Sequence, residues 1–195
     1  MKKGIVNCLL LTSLILGGCI NLKPRTDDVK QYSLGRVNAV YPNLTGAPAI
    51  HIERPSLPGY LDSNRLQYRK GDGEVCSISM ARWAEPLSEG VARALGESIQ
   101  LQGNIATAYP WPQLKGSHKL KVQFHQFSGS ADGRIQVHAT WQLTSTAGQF
   151  SVDSVFNASQ LAWEPGDAVS LIEGLNAALL ELSADISEKL PLYAK

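Results

Sequence analysis

The cleanest alternation of apolar and polar residues runs from Arg134 to Leu143. Ile135, Val137, Ala139, Trp141 and Leu143 take one parity, and Arg134, Gln136, His138, Thr140 and Gln142 take the other. A period of two puts successive side chains on opposite faces, so this run predicts a strand with one covered face and one wet face. Leu120, Val122 and Phe124 predict a neighbouring strand, and Phe150 to Phe156 a hairpin partner across Thr146-Ala147-Gly148. Upstream, Gln31 to Arg36 reads as a short strand, and Ala49 to Arg54 as one stopped by Pro55, with Pro58 close behind. Arg65 to Arg69 and Val75 to Ile78 flank Lys70-Gly71-Asp72-Gly73, a composition suited to a hairpin turn. Gly116-Ser117-His118 and Ser128-Gly129-Ser130 read as loops.

Two stretches change to a helical period. Leu87, Val91, Leu95 and Ile99 recur every four residues, with Ala94 and Leu101 widening the stripe. Pro86 suits the first helical position and Gly103 a stop, with Asn104 beside it. The second run begins after Pro165-Gly166 with Asp167 as its cap. Ala168, Leu171, Leu175, Ala178, Leu182 and Ile186 follow at threes and fours, while Glu173, Asn176, Glu181 and Glu188 face outward. Ala168 to Leu190 would measure ~34 Å. The expected architecture is α+β: a two-layer, mostly antiparallel sheet with two amphipathic helices packed on one face.

The amino terminus follows a different rule. Met1-Lys2-Lys3 is basic, Ile5 to Leu16 is mostly apolar, and Leu16-Gly17-Gly18-Cys19 ends the stretch. This order describes a secretory signal peptide, and the apolar part is shorter than the roughly 20 residues that span a bilayer. Leu-Gly-Gly-Cys resembles a bacterial lipoprotein box, which implies cleavage after Gly18 and acylation of Cys19. Each buried CH2 of the attached chains would contribute ~0.8 kcal/mol to membrane anchoring. Ile20 to Lys30 is polar, holds Pro24 and Asp27-Asp28, and shows no period; it reads as a tether reaching at most ~35 Å. The expected division is therefore signal peptide 1–18, lipidated cysteine and tether 19–30, and a single α+β domain 31–195. By analogy with enteric-type lipoproteins, Ile20 in place of Asp after the cysteine directs the chain to the outer membrane, facing the periplasm.

Removing residues 1–18 changes the charge. The full chain has 18 Lys+Arg against 17 Asp+Glu, and loss of Lys2 and Lys3 leaves 16 against 17. A balance this close to neutral argues against gripping nucleic acid. With Cys8 in the leader and Cys19 acylated, Cys76 is the remaining thiol and has no internal disulfide partner. It reads as a small buried strand residue.

Catalytic signatures are missing from the sequence. His51, His118, His125 and His138 have no spacing that puts two on one helix face, and no cysteine pair accompanies them. Gly71-Asp72-Gly73 lacks the helix and lysine of a phosphate loop, and no Gly-x-Ser-x-Gly elbow occurs. The expectation is no enzyme, no metal and no cofactor.

Two segments stand out: Leu57-Pro58-Gly59-Tyr60-Leu61-Asp62 and Ala81-Arg82-Trp83-Ala84-Glu85-Pro86-Leu87. Each joins an aromatic, a charge and a proline where a strand gives way to a turn. With the lipoprotein box they resemble the ABC-type transport auxiliary lipoprotein family, similar to the lipoprotein subunit of the paraquat-inducible intermembrane transport system. Members carry Leu-Pro-x-Tyr-Leu-Asp, then a hairpin, then Arg-Trp-Ala-Glu-Pro-Leu opening a helix. Ser63-Asn64 stands where the family usually has Arg-Pro, and the Gly71-Asp72-Gly73 turn lengthens the hairpin.

The resemblance implies a membrane-anchored periplasmic subunit. It would work with an MCE-type (mammalian-cell-entry) periplasmic protein and inner-membrane transporter components on lipid or another hydrophobic cargo. Homo-oligomerisation through open strand edges is compatible with it. Leu57, Pro58, Tyr60, Leu61, Asp62, Arg82, Trp83, Glu85 and Pro86 then either contact a partner or pack internally. In the internal reading Trp83 covers the sheet end, Tyr60 caps the hairpin, and Arg82 pairs with Glu85 for no more than ~1 kcal/mol. Alternatives are a lipid-binding carrier, which needs a cavity of ~300 Å³ or more, and a lipoprotein that activates an envelope enzyme.

Overall fold

The computed structural model describes residues 28–35, 40–71, 73–145 and 151–190. The leader, Cys19, most of the tether, Arg36, Asp72, the Thr146-Ala147-Gly148 turn and Phe150 lie outside the described residues. The strands are β1 Lys30–Tyr32, β2 Ala49–Ile52, β3 Arg65–Arg69, β4 Val75–Trp83, β5 Ile105–Ala108, β6 His118–Ser130, β7 Ile135–Thr144 and β8 Ser151–Asn157. Two helices, α1 Leu87–Leu101 and α2 Ala168–Lys189, and a 3₁₀ turn at Gly59–Leu61 complete the described elements.

Strand β6 organises the sheet. Along one edge it pairs antiparallel with β7, from Lys119↔Thr144 to Gly129↔Ile135. Along the other, β2 takes its beginning in parallel at Ile50↔His118 and β3 takes its end at Tyr68↔Gly129, with Ser56 bridging to Gln123 between them. β8 extends the sheet beyond β7, β5 lies outside β2, and β4 and β1 follow β3. The antiparallel registers are the long ones, and the parallel registers cover two to four residues each. This is an α+β fold with a mixed, mostly antiparallel sheet.

The β7 alternation appears as written, with Ile135, Val137, Ala139, Trp141 and Leu143 all buried. In β6 the register shifts between Phe124 and Gln126. This bulge returns Phe127 to the face that already holds Leu120, Val122 and Phe124. Helix α1 buries Val91, Leu95 and Ile99, and Gly96 brings it down onto Ile52, Ala106 and Ala108. Asp167 accepts from the Val169 amide at 2.9 Å and caps α2, while the Trp141 Nε1–H donates to Asp185 Oδ2 at 2.9 Å. Gly174 lets α2 approach Ile135, since a Cβ there would stand 2.5 Å from Ile135 Cγ1. Each fully buried aliphatic side chain in this layer contributes about 1.5–3 kcal/mol.

Several expectations change. Ile105–Ala108 forms a strand that its sequence did not announce. His118 and Ser128-Gly129-Ser130 belong to β6, not to loops. The small residues at that end are required by Trp163: a Cβ on Gly129 would sit 2.4 Å from Trp163 Cε2, and the indole N–H donates to the Ser130 carbonyl at 2.9 Å. The hairpin strand starting at Val75 runs on to Trp83, because the register jumps from Gln67↔Ser77 to Arg65↔Arg82. Met80, inside that bulge, has φ 57°, a region that penalises side chains with a Cβ. The first strand is shorter than expected, ending at Tyr32. Pro86 caps α1 from outside, with Leu87 as the first helical residue. Asn176 and Glu181 do not simply face solvent: Asn176 holds Gly35, and Glu181 accepts from the Ser159 amide at 2.8 Å. Cys76 is a free thiol in β4 and is half-exposed, not buried.

Candidate functional site

The two unusual segments meet at one end of the sheet. In the first, Pro58 leads into the 3₁₀ turn, where the Leu61 amide donates to the Pro58 carbonyl at 2.9 Å and the Asp62 amide to the Gly59 carbonyl at 3.1 Å. This turn buries Leu61, packs Leu57 and Tyr60 against the core, and leaves Asp62 exposed. Arg69 lies over the Tyr60 ring at 5.9 Å, while the Tyr60 hydroxyl is buried without a hydrogen-bond partner among the described residues.

The second segment is held from both sides. Tyr32 of β1 pairs in register with Trp83, and the Ala84 amide donates to the Tyr32 carbonyl at 2.8 Å. On the other side, the Trp83 amide donates to the Asn64 carbonyl at 2.8 Å, and Arg82 Nη1 donates to Asn64 Oδ1 at 3.3 Å. Trp83 is therefore a buried anchor at the sheet end. Pro86 opens α1, its carbonyl accepting from the amides of Glu89 and Gly90.

The expected Arg82–Glu85 ion pair is replaced by a longer connection. Glu85 Oε1 lies 2.5 Å from Nη2 of Arg93, eight residues on within α1, while Arg93 Nη1 reaches Glu97 at 2.8 Å. The Glu85 carboxylate, with Glu97 behind it, holds the Arg93 guanidinium above the ordinary arginine range despite its partial burial. Arg93 Nη2 also donates to the Leu34 carbonyl at 2.8 Å. The next residue, Gly35, has φ 102° and exchanges two hydrogen bonds with the Asn176 amide of α2. The chain after β1 is thereby fastened to both helices. The sequence signalled neither Arg93 nor Gly35, beyond the four-residue spacing of Arg93 and Glu97; Asn64 stood out only as a neighbour of the first segment, and Asn176 was expected to face outward.

Between the segments lies a cleft of about 370 Å³, lined by Asp62 of the first with Ser63 and Asn64 just after it, and by Trp83, Ala84, Glu85, Pro86 and Leu87 from the second. A smaller hollow of about 230 Å³, with Leu57, Pro58, Leu61 and Asp62 in its wall, adjoins it across Leu87. The structure thus brings together Leu57, Pro58, Leu61, Asp62, Trp83, Glu85 and Pro86. Tyr60 and Arg82 stand behind them, outside both hollows. The exposed rim is Asp62, Asn64, Ala84 and Pro86.

The histidines lie elsewhere. His51 Nδ1 is 3.0 Å from Thr107 Oγ1, and burial lowers its pKa from the usual histidine value; burial does the same to His118. The rings of His125 and His138 lie 5.0 Å apart, tilted by 41°, a proximity the sequence did not signal. Among the described residues no group of three or more His, Cys, Asp or Glu is placed to hold a metal, and no helix is long and apolar enough to cross a membrane.

The fold is shared by solved structures. A crystal structure of an uncharacterized protein superposes with a TM-score of 0.65 at 22% identity, covering 82% of this chain and 97% of that one. A protein from Xanthomonas campestris gives 0.62 at 18% identity, over 84% of this chain and 95% of its own. In sequence, the chain is 26% identical over 157 residues to the intermembrane transport lipoprotein PqiC of Escherichia coli strain K12, covering 73% of this chain and 74% of that protein. The Shigella flexneri protein of the same name matches to the same extent. A family profile described as the ABC-type transport auxiliary lipoprotein component matches residues 32–187, taking in both segments, all the described strands from β2 onward and nearly all of α2. The chain belongs to the ABC-type transport auxiliary lipoprotein family.

Proposed function

We propose that this protein is a non-catalytic accessory subunit of an MCE-associated intermembrane transport system for lipid or a similar hydrophobic compound. It is tethered to the outer membrane through acylated Cys19, faces the periplasm, and acts by protein contact. Residues 1–18 are the leader, 19–30 the lipidated tether, and 31–195 the working domain.

One observation carries the contact reading. Two separate chain segments converge on a single cleft of about 370 Å³, with Trp83 and Leu87 buried as its floor and Asp62, Asn64, Ala84 and Pro86 left at its rim. A buried apolar floor with an exposed rim that carries polar groups, here Asp62 and Asn64, is the anatomy of a protein-binding patch. The relatives named for intermembrane transport support the setting. The lipid-carrier alternative finds less support, since the groove of about 540 Å³ between β2, β6, β7 and β8 has Glu53, Arg54, Lys121 and Asp153 in its wall. Charged walls suit an acyl chain poorly.

Fractionation and affinity recovery test the proposal together. The full chain is expected in outer-membrane fractions and to bring an MCE-domain protein with it after gentle crosslinking. Cys19→Ser should release it from the membrane. Retention of that variant in the membrane, or recovery without any MCE-domain partner, contradicts the proposal.

A further inference from the structure

On the far side of Glu85 from the segment cleft, α1 and the chain after β5 enclose a second cleft of about 350 Å³. Its walls differ in kind. The helix side presents Glu85, Glu89 and Glu97 with a single cation, Arg93; the other side presents Tyr109, Pro110 and Trp111. Arg93 is turned to Glu85 and Glu97, so Glu89 is left without an ion-pair partner among the described residues. The cleft is net negative on one wall and aromatic on the other.

Trp111 is the unusual member. It is 73% exposed, whereas Trp83, Trp141 and Trp163 are buried. Pro110 and Pro112 flank it and restrict the backbone, and its amide donates to the Ala108 carbonyl at 3.0 Å, so the ring is presented on a fixed turn. Its neighbour Tyr109 already carries a cation: Arg54 stands 5.5 Å from that ring and donates to Ser88. Trp111, a better cation acceptor than tyrosine, has no such partner among the described residues.

We infer that the Trp111 cleft is a docking site for a cationic segment of a partner protein, a lysine or arginine side chain lying between the indole face and Glu89. Charge decides between occupants. An anionic membrane surface would be repelled by the carboxylate wall that a basic segment would match. Preorganisation of Trp111 by its two prolines lowers the ordering cost of the contact.

The full chain, labelled with 5-fluorotryptophan and held in non-ionic micelles, gives one fluorine resonance for each of its four tryptophans. Titration with blocked tetra-arginine should move the Trp111 resonance saturably, leave the three buried ones in place, and be unmatched by blocked tetra-glutamate. Trp111→Phe assigns the resonance, and Glu89→Gln should weaken the peptide about threefold to fivefold. Glu89 is half-exposed, so that substitution leaves the fold standing, and an unchanged spectrum of the buried tryptophans checks this. A Trp111 signal indifferent to tetra-arginine, or a response unaltered by Glu89→Gln, overturns the inference. So does a shift produced by phosphatidylglycerol vesicles and not by the peptide, which would assign the ring to lipid.

Discussion

The Trp83 amide donates to the carbonyl of Asn64 at 2.8 Å, and this bond, with that from Arg82 to the Asn64 side chain, ties the second unusual segment to the chain just after the first. The bond settles a division of labour inside each segment. Trp83, Leu61 and Leu87 are buried and hold the unit together, while Asp62, Ala84 and Pro86 are turned outward.

That division separates two kinds of variant. Trp83→Ala should cost about 3–5 kcal/mol, the range for emptying a buried large aromatic site, seen as a lower urea midpoint. Asp62→Asn should leave the midpoint where it is and reduce recovery of the partner. Equal stability loss from both, or none from Trp83→Ala, would contradict the assignment.

The Arg93 connection gives a graded series. Arg93→Met sets Glu85 and Glu97 facing one another and removes the donor from the Leu34 carbonyl, for an expected loss of about 1–3 kcal/mol. Glu85→Gln alone should cost no more than ~1 kcal/mol, because the pair is partly exposed. Gly35→Ala joins a φ of 102° to a Cβ 2.5 Å from Glu97 Oε2 and should cost more than about 1 kcal/mol. Denaturant titration of the three variants checks the order; an Arg93→Met protein as stable as the parent breaks it.

Met80 offers a test of backbone strain. With φ at 57° and the side chain 44% exposed, little packing is at stake. Met80→Gly should be more stable than Met80→Ile by about 1–2 kcal/mol. The reverse order in thermal melts would show that the β4 bulge does not hold this conformation.

Acid sensitivity follows from two partly buried imidazoles. Desolvation lowers the pKa of His51 and of His118 in the folded chain, so each favours its neutral form there. The unfolded chain then takes up more protons as pH falls through about 6.5. Stability contributed by neutral burial is present above that value and is lost below it. Melting temperature should fall from about pH 7.5 to about pH 5.5, and His118→Gln should flatten part of the decline. A profile identical in the two proteins removes His118 from the account.

What was legible in the sequence is what is decided locally. The β7 alternation, the α1 and α2 stripes and the Asp167 cap depend on neighbours within a few residues, and each appears in the structure. The end of β6 does not: Ser128-Gly129-Ser130 looks like a loop until Trp163, more than thirty residues later, is seen to need the space over Gly129. Strand β5 is four residues with two alanines, too short to show a period, and is recognisable only through its parallel pairing with β2. The same holds at the site. The two segments are conspicuous by composition, yet their convergence rests on Asn64, on Tyr32 and on a bulge at Met80, and nothing in their spacing announces it.

The most direct measurement places a photoreactive amino acid at position 84, exposed on the rim of the cleft yet carried by the buried Trp83 anchor, in the full lipidated chain in its own cells. Irradiation is expected to yield an adduct with an MCE-domain protein, diminished by Asp62→Lys across the cleft. Adducts formed only with lipid, or an MCE-domain adduct from a probe at the exposed Val155 of β8 and none from position 84, would contradict the account.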